Sequence, residues 1–173
     1  VGTWKEDKRQ GKGTYTFAQN GASYTGDWVE DKKQGHGTFD WNDGSSYTGG
    51  WYNNQPHGRG KYVYGDGNIY DGEWKNGLQH GLGSYKSNTF EYLGQWEEGW
   101  MNGEGKIIYQ NNEYYEGNLV ENEPYGLGFY QFNNGNSYEG EFVDGKFHGL
   151  GIFRFADGNI YEGEFQNGKI KGD

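Results

Sequence analysis

Seven tyrosines stand almost evenly along this chain, Tyr24, Tyr47, Tyr70, Tyr92, Tyr115, Tyr138 and Tyr161, at intervals of 23, 23, 22, 23, 23 and 23 residues. A period this regular restricts the fold to a stack of near-identical units and the function to one that a repeated surface can perform. Two residues after each tyrosine comes a glycine, and two further on a large apolar residue: Trp28, Trp51, Trp74, Trp96, Leu119, Phe142 and Phe165. The local period is two, so this half of the unit is a strand. A Gly-x-Gly pair follows at a fixed offset, from Gly35/Gly37 to Gly149/Gly151. It leads into a second alternating segment with large side chains such as Phe39/Trp41, Tyr62/Tyr64 and Phe153/Phe155. Each repeat is therefore two strands.

The turns between repeats read Asp43-Gly44, Asp66-Gly67, Asn134-Gly135 and Asp157-Gly158, dipeptides that tolerate the positive φ of tight hairpins. Inside the repeats, Asp31, Asn54, Gly77, Gly99, Asn122, Gly145 and Gly168 share one offset and can also enter the left-handed region. Connections this short make successive strands antiparallel neighbours. The expected fold is all-β, an elongated meander of about seven to eight 23-residue β-hairpin repeats forming one continuous array over 1–173. Its parts are a partial repeat 1–23, full repeats 24–46, 47–69, 70–91, 92–114, 115–137 and 138–160, and a partial repeat 161–173. The repeat 70–91 is one residue short, with Ser87-Asn88-Thr89 at its turn, and the sheet is expected to change twist or bend there. The chain starts with Val1 and both ends fall inside a repeat, so it reads as a segment of a longer one.

Apolar content is only 31%, and more than half of it is aromatic, too few aliphatic residues for a deep core. The 33 aromatics in register nevertheless argue for order rather than disorder. A tyrosine and a tryptophan bracket each glycine on one face, so a ring from the neighbouring strand can lie on bare backbone, and the Gly-x-Gly pair offers two such seats. On the other face Asp71, Glu73, Glu116, Glu139, Glu141, Glu162 and Glu164 form an acidic, solvated surface. Strands of successive repeats lie about 10 Å apart, too far for their carboxylates to share a metal ion directly. Cysteine is absent, which removes disulfides and thiolate metal sites, and no apolar run is long enough for a membrane helix. His57, His80 and His148 share one repeat offset and His36 lies beside it, so the histidines follow the repeat rather than a catalytic constellation. No nucleophile elbow, Walker loop or zinc-protease motif occurs, and the reading is of a protein that is not an enzyme and carries no cofactor. Charge is uneven: residues 1–61 hold 8 basic and 7 acidic side chains, and residues 62–173 hold 7 and 18. Nucleic acid is a poor partner for such a surface, and anionic membrane is disfavoured.

The run Tyr70-x-Gly72-x-Trp74-x-x-Gly77-x-x-x-Gly81-x-Gly83 resembles the membrane occupation and recognition nexus (MORN) repeat, over essentially the whole chain. That resemblance implies a twisted, single-layer antiparallel sheet serving as an assembly platform. It makes a cytoplasmic scaffold or adaptor of cytoskeletal or axonemal complexes, of the radial-spoke kind in a cilium or flagellum, the first expectation. Other proteins are the expected partners, through a basic or amphipathic segment, with end-to-end self-association at the open edge strands as a further possibility. The groove-lining candidates are Trp51, Tyr62, Tyr64, Trp74, Tyr85, Trp96 and Tyr109, although the tryptophans also suit a purely structural role. The alternatives are a peripheral membrane or phosphoinositide module, which would use Lys5, Lys8, Arg9, Lys12, Lys32 and Lys33, and the appendage of a larger enzyme.

Overall fold

Asn53 and Asn54 carry φ of 50° and 67° and fold the chain back within two residues. The same pair of positive angles recurs at Glu30/Asp31, Asn76/Gly77, Glu121/Asn122 and Asp144/Gly145, the signature of two-residue hairpin turns whose twist suits the flanking strands. The turns between repeats are wider. In Tyr64 to Asn68, the Gly67 amide donates to the Tyr64 carbonyl at 2.9 Å and the Tyr64 amide donates to the Asn68 carbonyl at 2.8 Å. Here only Gly67 is left-handed (φ 90°), so the Asp-Gly dipeptides close a longer loop rather than the two-residue turn.

These turns link sixteen strands in the computed structural model, which describes residues 1–172. One compact unit, Val1–Ser87, contains β1 (Gly2–Lys5), β2 (Lys8–Thr16), β3 (Ser23–Val29), β4 (Lys32–Asp40), β5 (Ser46–Tyr52), β6 (Gln55–Val63), β7 (Ile69–Lys75) and β8 (Leu78–Lys86). A second unit begins at Asn88 and contains β9 (Phe90–Glu97), β10 (Trp100–Tyr109), β11 (Tyr114–Val120), β12 (Glu123–Gln131), β13 (Ser137–Val143), β14 (Lys146–Arg154), β15 (Ile160–Gln166) and β16 (Lys169–Ile170). The division falls at Ser87-Asn88-Thr89, the turn of the shortened repeat. Within each unit every strand pairs antiparallel with the next. No helix occurs among the described residues.

The registers place glycine opposite glycine. Gly37 pairs with Gly49, Gly49 with Gly60 and Gly60 with Gly72, and in the second unit Gly105, Gly117, Gly128, Gly140 and Gly151 continue in the same way. The opening tyrosine of each repeat lies on the glycine of the strand that follows. A Cβ on Gly37, Gly60, Gly83, Gly105, Gly128 or Gly151 would run into the ring of Tyr24, Tyr47, Tyr70, Tyr92, Tyr115 or Tyr138. The tyrosine hydroxyl then donates to a carbonyl three residues on, from Tyr47 to Gly50 at 2.8 Å and from Tyr115 to Asn118 at 2.6 Å. The tryptophans reach in the other direction, Trp51 Nε1 donating to the Gly37 carbonyl and Trp74 Nε1 to the Gly60 carbonyl, both at 3.0 Å. Tyr24, Tyr47, Tyr70, Tyr115 and Tyr138 are 0% exposed, and burial pushes the hydroxyls of Tyr92 and Tyr138 up to about 12. Rings on glycine backbone thus substitute for a second layer of structure.

Only the second glycine of each pair is a ring seat, a correction to the expectation of two. The first sits at a bulge with positive φ, as in Gly58 (78°) and Gly126 (76°), where the strand carries two extra residues. The bulge frees an amide, and a side chain from the preceding strand accepts it. Glu73 accepts from the Leu82 amide at 2.6 Å, Gln95 from Glu104 at 3.0 Å and Glu141 from Leu150 at 3.3 Å. Glu73 and Glu141, read from sequence as solvated, therefore also hold backbone.

Successive repeats are fastened by a reciprocal pair at the two-residue turn. The Asn54 amide donates to the Lys33 carbonyl at 3.1 Å, and the Lys33 amide donates back to Asn54 Oδ1 at 2.8 Å. Asp31 with Arg9 and Asn122 with Met101 repeat the arrangement. Where the earlier residue is proline, it has no amide to offer, and the turn residue is glycine: Gly77 donates to Pro56 at 2.9 Å and Gly145 to Pro124 at 3.0 Å. Asn54→Gly keeps the left-handed turn but removes the acceptor for Lys33, and is expected to cost about 1 kcal/mol. Gly145→Asn, facing Pro124, is expected to gain no such bond. Urea midpoints of the two variants check the pair.

Candidate functional site

The residues proposed from sequence to line a groove lie on the ring face, where they pack on each other. Trp51 and Trp74 are 5% and 6% exposed, and Trp96 is buried with Tyr92 at 5.4 Å. Tyr62 and Tyr64 are half-buried with centroids 4.5 Å apart, and Tyr64 accepts from Gln79 Nε2 at 3.0 Å. Tyr85 accepts from Asn68 Nδ2 at 2.8 Å, and Tyr109 lies 6.1 Å from Tyr130. The basic candidates do not share a surface. The Arg9 guanidinium lies over Tyr15 and Trp28, 4.5 and 4.2 Å from their centroids, and bonds Asp31 at 2.9 Å. Lys33 Nζ stands 5.4 to 6.0 Å from the rings of Tyr24, Trp28, Phe39 and Trp51, and burial, reinforced by Arg9, pushes its amine down. Lys5, Lys8, Lys12 and Lys32 alternate to the opposite face, where Lys12 pairs with Asp27.

That opposite face is open. In the second unit a trough of about 650 Å³ runs across the strands, floored by the backbone of Gly94, Gly105, Gly117, Gly128 and Gly140. Leu93, Leu127 and Phe129 wall it together with Glu104, Glu116, Asn118 and Glu139. Leu127 and Leu93 are 68% and 66% exposed, as is Leu150, at 64%, two strands beyond Leu127. Exposed leucines in a row are an apolar surface without a partner. The first unit has a comparable trough of about 500 Å³, walled by Lys12, Thr14, Thr25, Asp27, His36 and Thr38. It is polar and nearly balanced: residues 1–87 hold ten basic and ten acidic side chains, whereas 88–173 hold five and fifteen. No cluster of histidine and carboxylate able to hold a metal ion occurs among the described residues.

The sequence reasoning placed Glu116 and Glu139 on a solvated acidic face and passed over the apolar walls Leu93, Leu127 and Phe129. A signal was there in the middle residue of the Gly-x-Gly pairs, which is Lys12, His36 and Arg59 early in the chain and Leu82, Leu127 and Leu150 later, with Glu104 the exception.

The model of the MORN repeat matches residues 1–22, 24–46, 47–69, 70–89, 92–114, 115–137, 138–160 and 161–172. The chain belongs to the MORN repeat family. Eight consecutive MORN units account for its sixteen strands, and the family is a repeat module used as a scaffold rather than a known catalytic family. A search of functionally curated proteins returns no match to this MORN chain. Among solved structures it is similar to the TCP10 domain of Danio rerio CPAP, solved in complex with a peptide of Danio rerio STIL, with 9% identity and a TM-score of 0.45 over 88% of this chain and 73% of that one. Within the MORN unit, the tyrosine, the tryptophan and the second glycine are spent on the ring face. The residues alternating with them are therefore the ones free to differ from repeat to repeat on the open face.

Proposed function

We propose that this MORN array is a non-enzymatic scaffold that holds a protein partner in the trough of its second unit, and that the partner segment is basic and apolar. The observation that carries the reading is the row of exposed leucines set among carboxylates, Leu127 with Glu139 and Glu116, on a floor of glycine backbone. Apolar walls supply contact area, and the net charge of −10 over residues 88–173 selects cations and speeds their arrival. A cytoskeletal or axonemal complex in the cytoplasm is the setting proposed, on the family resemblance. The reading as a membrane module is weakened by the division of its six candidate cations between two faces.

An array of short random peptides, probed with the protein at low and high salt, tests the proposal. Bound peptides are expected to be rich in Lys or Arg beside apolar residues, to weaken at high salt, and to be lost on Leu127→Arg, a change at an exposed site that leaves the melting temperature in place. Capture of acidic peptides, or binding that Leu127→Arg leaves unaltered, would overturn it. Stronger retention on phosphatidylserine vesicles than on any peptide would favour the membrane reading instead.

A further inference from the structure

From β11 to the end of the trough at β13, and over the two strands beyond it, the open-face side chains change character strand by strand. On the open face β11 presents Glu116 and Asn118, β12 presents Phe129 and Leu127, β13 presents Glu139 and Glu141, β14 presents Ile152 and Leu150, and β15 presents Glu162 and Glu164. After the single carboxylate of β11, apolar pairs on β12 and β14 alternate with acidic pairs on β13 and β15, and each kind returns after two strands. Two strand spacings are about 9.6 Å.

We infer that the segment bound in this trough is an extended, left-handed polyproline-type strand with a basic residue at every third position. The inference rests on the trough being the partner site. Its first support is pitch. A polyproline II helix has three residues per turn and rises about 3.1 Å per residue, so equivalent side chains return after about 9.3 Å, within about 0.3 Å of the interval between acidic pairs. An α-helix advances about 9.0 Å in six residues, which turns the side chain well away, and regains nearly the same azimuth only after seven, about 10.5 Å, which overshoots the interval by about 0.9 Å at every step. A β-strand advances about 9.9 Å in three residues but turns the third side chain to the opposite side.

The second support is width. The two walls are residues i and i+2 of each strand, about 6.8 Å apart along it. An α-helix with its side chains is about 10 to 12 Å across and would ride above the glycine floor. A single extended backbone can descend to it. Its basic side chains would then lie between the paired carboxylates of β13, where the trough ends, and of β15 on the open face beyond it, and the two intervening residues would meet Leu127 and Phe129 within the trough and Leu150 and Ile152 past its end. Two of the carboxylates already hold exposed cations, Glu139 with Arg154 at 3.2 Å and Glu164 with Lys171 at 2.8 Å. Pairs this exposed are weak and can be exchanged for a partner's lysines.

The test is fluorescence anisotropy of the whole chain with three labelled peptides. One is a repeating Lys-Leu-Pro peptide, the second has the same composition with its lysines in one block, and the third is an alanine-rich helix carrying the same charge. The repeating peptide is expected to bind at least about tenfold more tightly than either control, the equivalent of about 1.4 kcal/mol spread over its ordered charges. Glu139→Lys with Glu162→Lys should remove that preference. Equal affinity for the repeating and block peptides, or tightest binding by the helix, overturns the pitch and leaves the trough reading standing. Failure of all three to bind overturns both.

Discussion

Gly128→Ala is expected to destabilise the chain by about 3 kcal/mol, well beyond Gly126→Ala two residues earlier on the same strand. The backbone at Gly128 is acceptable to any residue, since its φ is not positive, but an added Cβ would lie 2.5 Å from Tyr115 Cε2 and Oη and 2.8 Å from Cζ. The Tyr115 ring has nowhere to go, being 0% exposed and bonded through its hydroxyl to the Asn118 carbonyl at 2.6 Å. Gly126 is the reverse case. No atom lies within 4 Å of its Cβ position, and the cost comes only from φ of 76°, about 1 to 2 kcal/mol for alanine. Urea denaturation followed by tryptophan fluorescence separates the two. Adding Tyr115→Ala to Gly128→Ala should give less than the sum of the single losses, because the ring that clashes is gone. Equal costs at Gly126 and Gly128 would mean that the ring is not seated where the structure has it.

Tyr138→Ala is the other large effect, with an expected loss of about 3 to 5 kcal/mol. Tyr138 stacks on Phe147 with centroids 3.9 Å apart and planes 14° apart, and meets Phe142 and Phe165 edge-on at 5.2 and 5.0 Å. Its removal leaves three phenylalanines facing a void that polar side chains cannot fill. Tyr138→Phe keeps those contacts and loses only what the hydroxyl donates to the Glu141 and His148 carbonyls, at 2.8 and 3.3 Å, about 1 kcal/mol. Because contacts in a repeat stack run between neighbours, amide exchange should accelerate in β13 to β15 and stay slow in β3 to β6. Uniform acceleration along the chain would contradict a nearest-neighbour stack.

The period of the tyrosines makes the repeats, strands and turns legible from the amino-acid order, because alternation and turn chemistry are local properties. Residues 24–46 and 138–160, delimited by spacing alone, coincide with matched MORN segments. The division of labour within Gly-x-Gly is not legible in that way. Gly58 and Gly60 are the same letter, and only the bulge, which adds two residues to one strand and not to its partner, makes one a left-handed hinge and the other a seat for Tyr47. The open trough escapes for a related reason. Alternation sorts residues into two faces but does not say which face is closed by its own side chains, and the aromatic residues that look most suited to binding, Trp51 and Trp74, are consumed in holding neighbouring strands. The walls are instead written in Leu93 and Leu127, which look ordinary until their exposure is seen.

The reciprocal bonds at the turns also make the units non-interchangeable. Asn54 answers the amide of Lys33, and Gly77 answers Pro56, which has none. If residues 47–69 were excised, Gly77 would face Lys33 and leave its amide to solvent. If residues 115–137 were excised, Gly145 would face Met101, whose amide is now held by Asn122 at 2.9 Å. The chain is therefore a sentence with a word order. Units matched in this way carry half of an agreement with the one before them, and a splice, deletion or shuffled design that respects the 23-residue frame can still break the grammar.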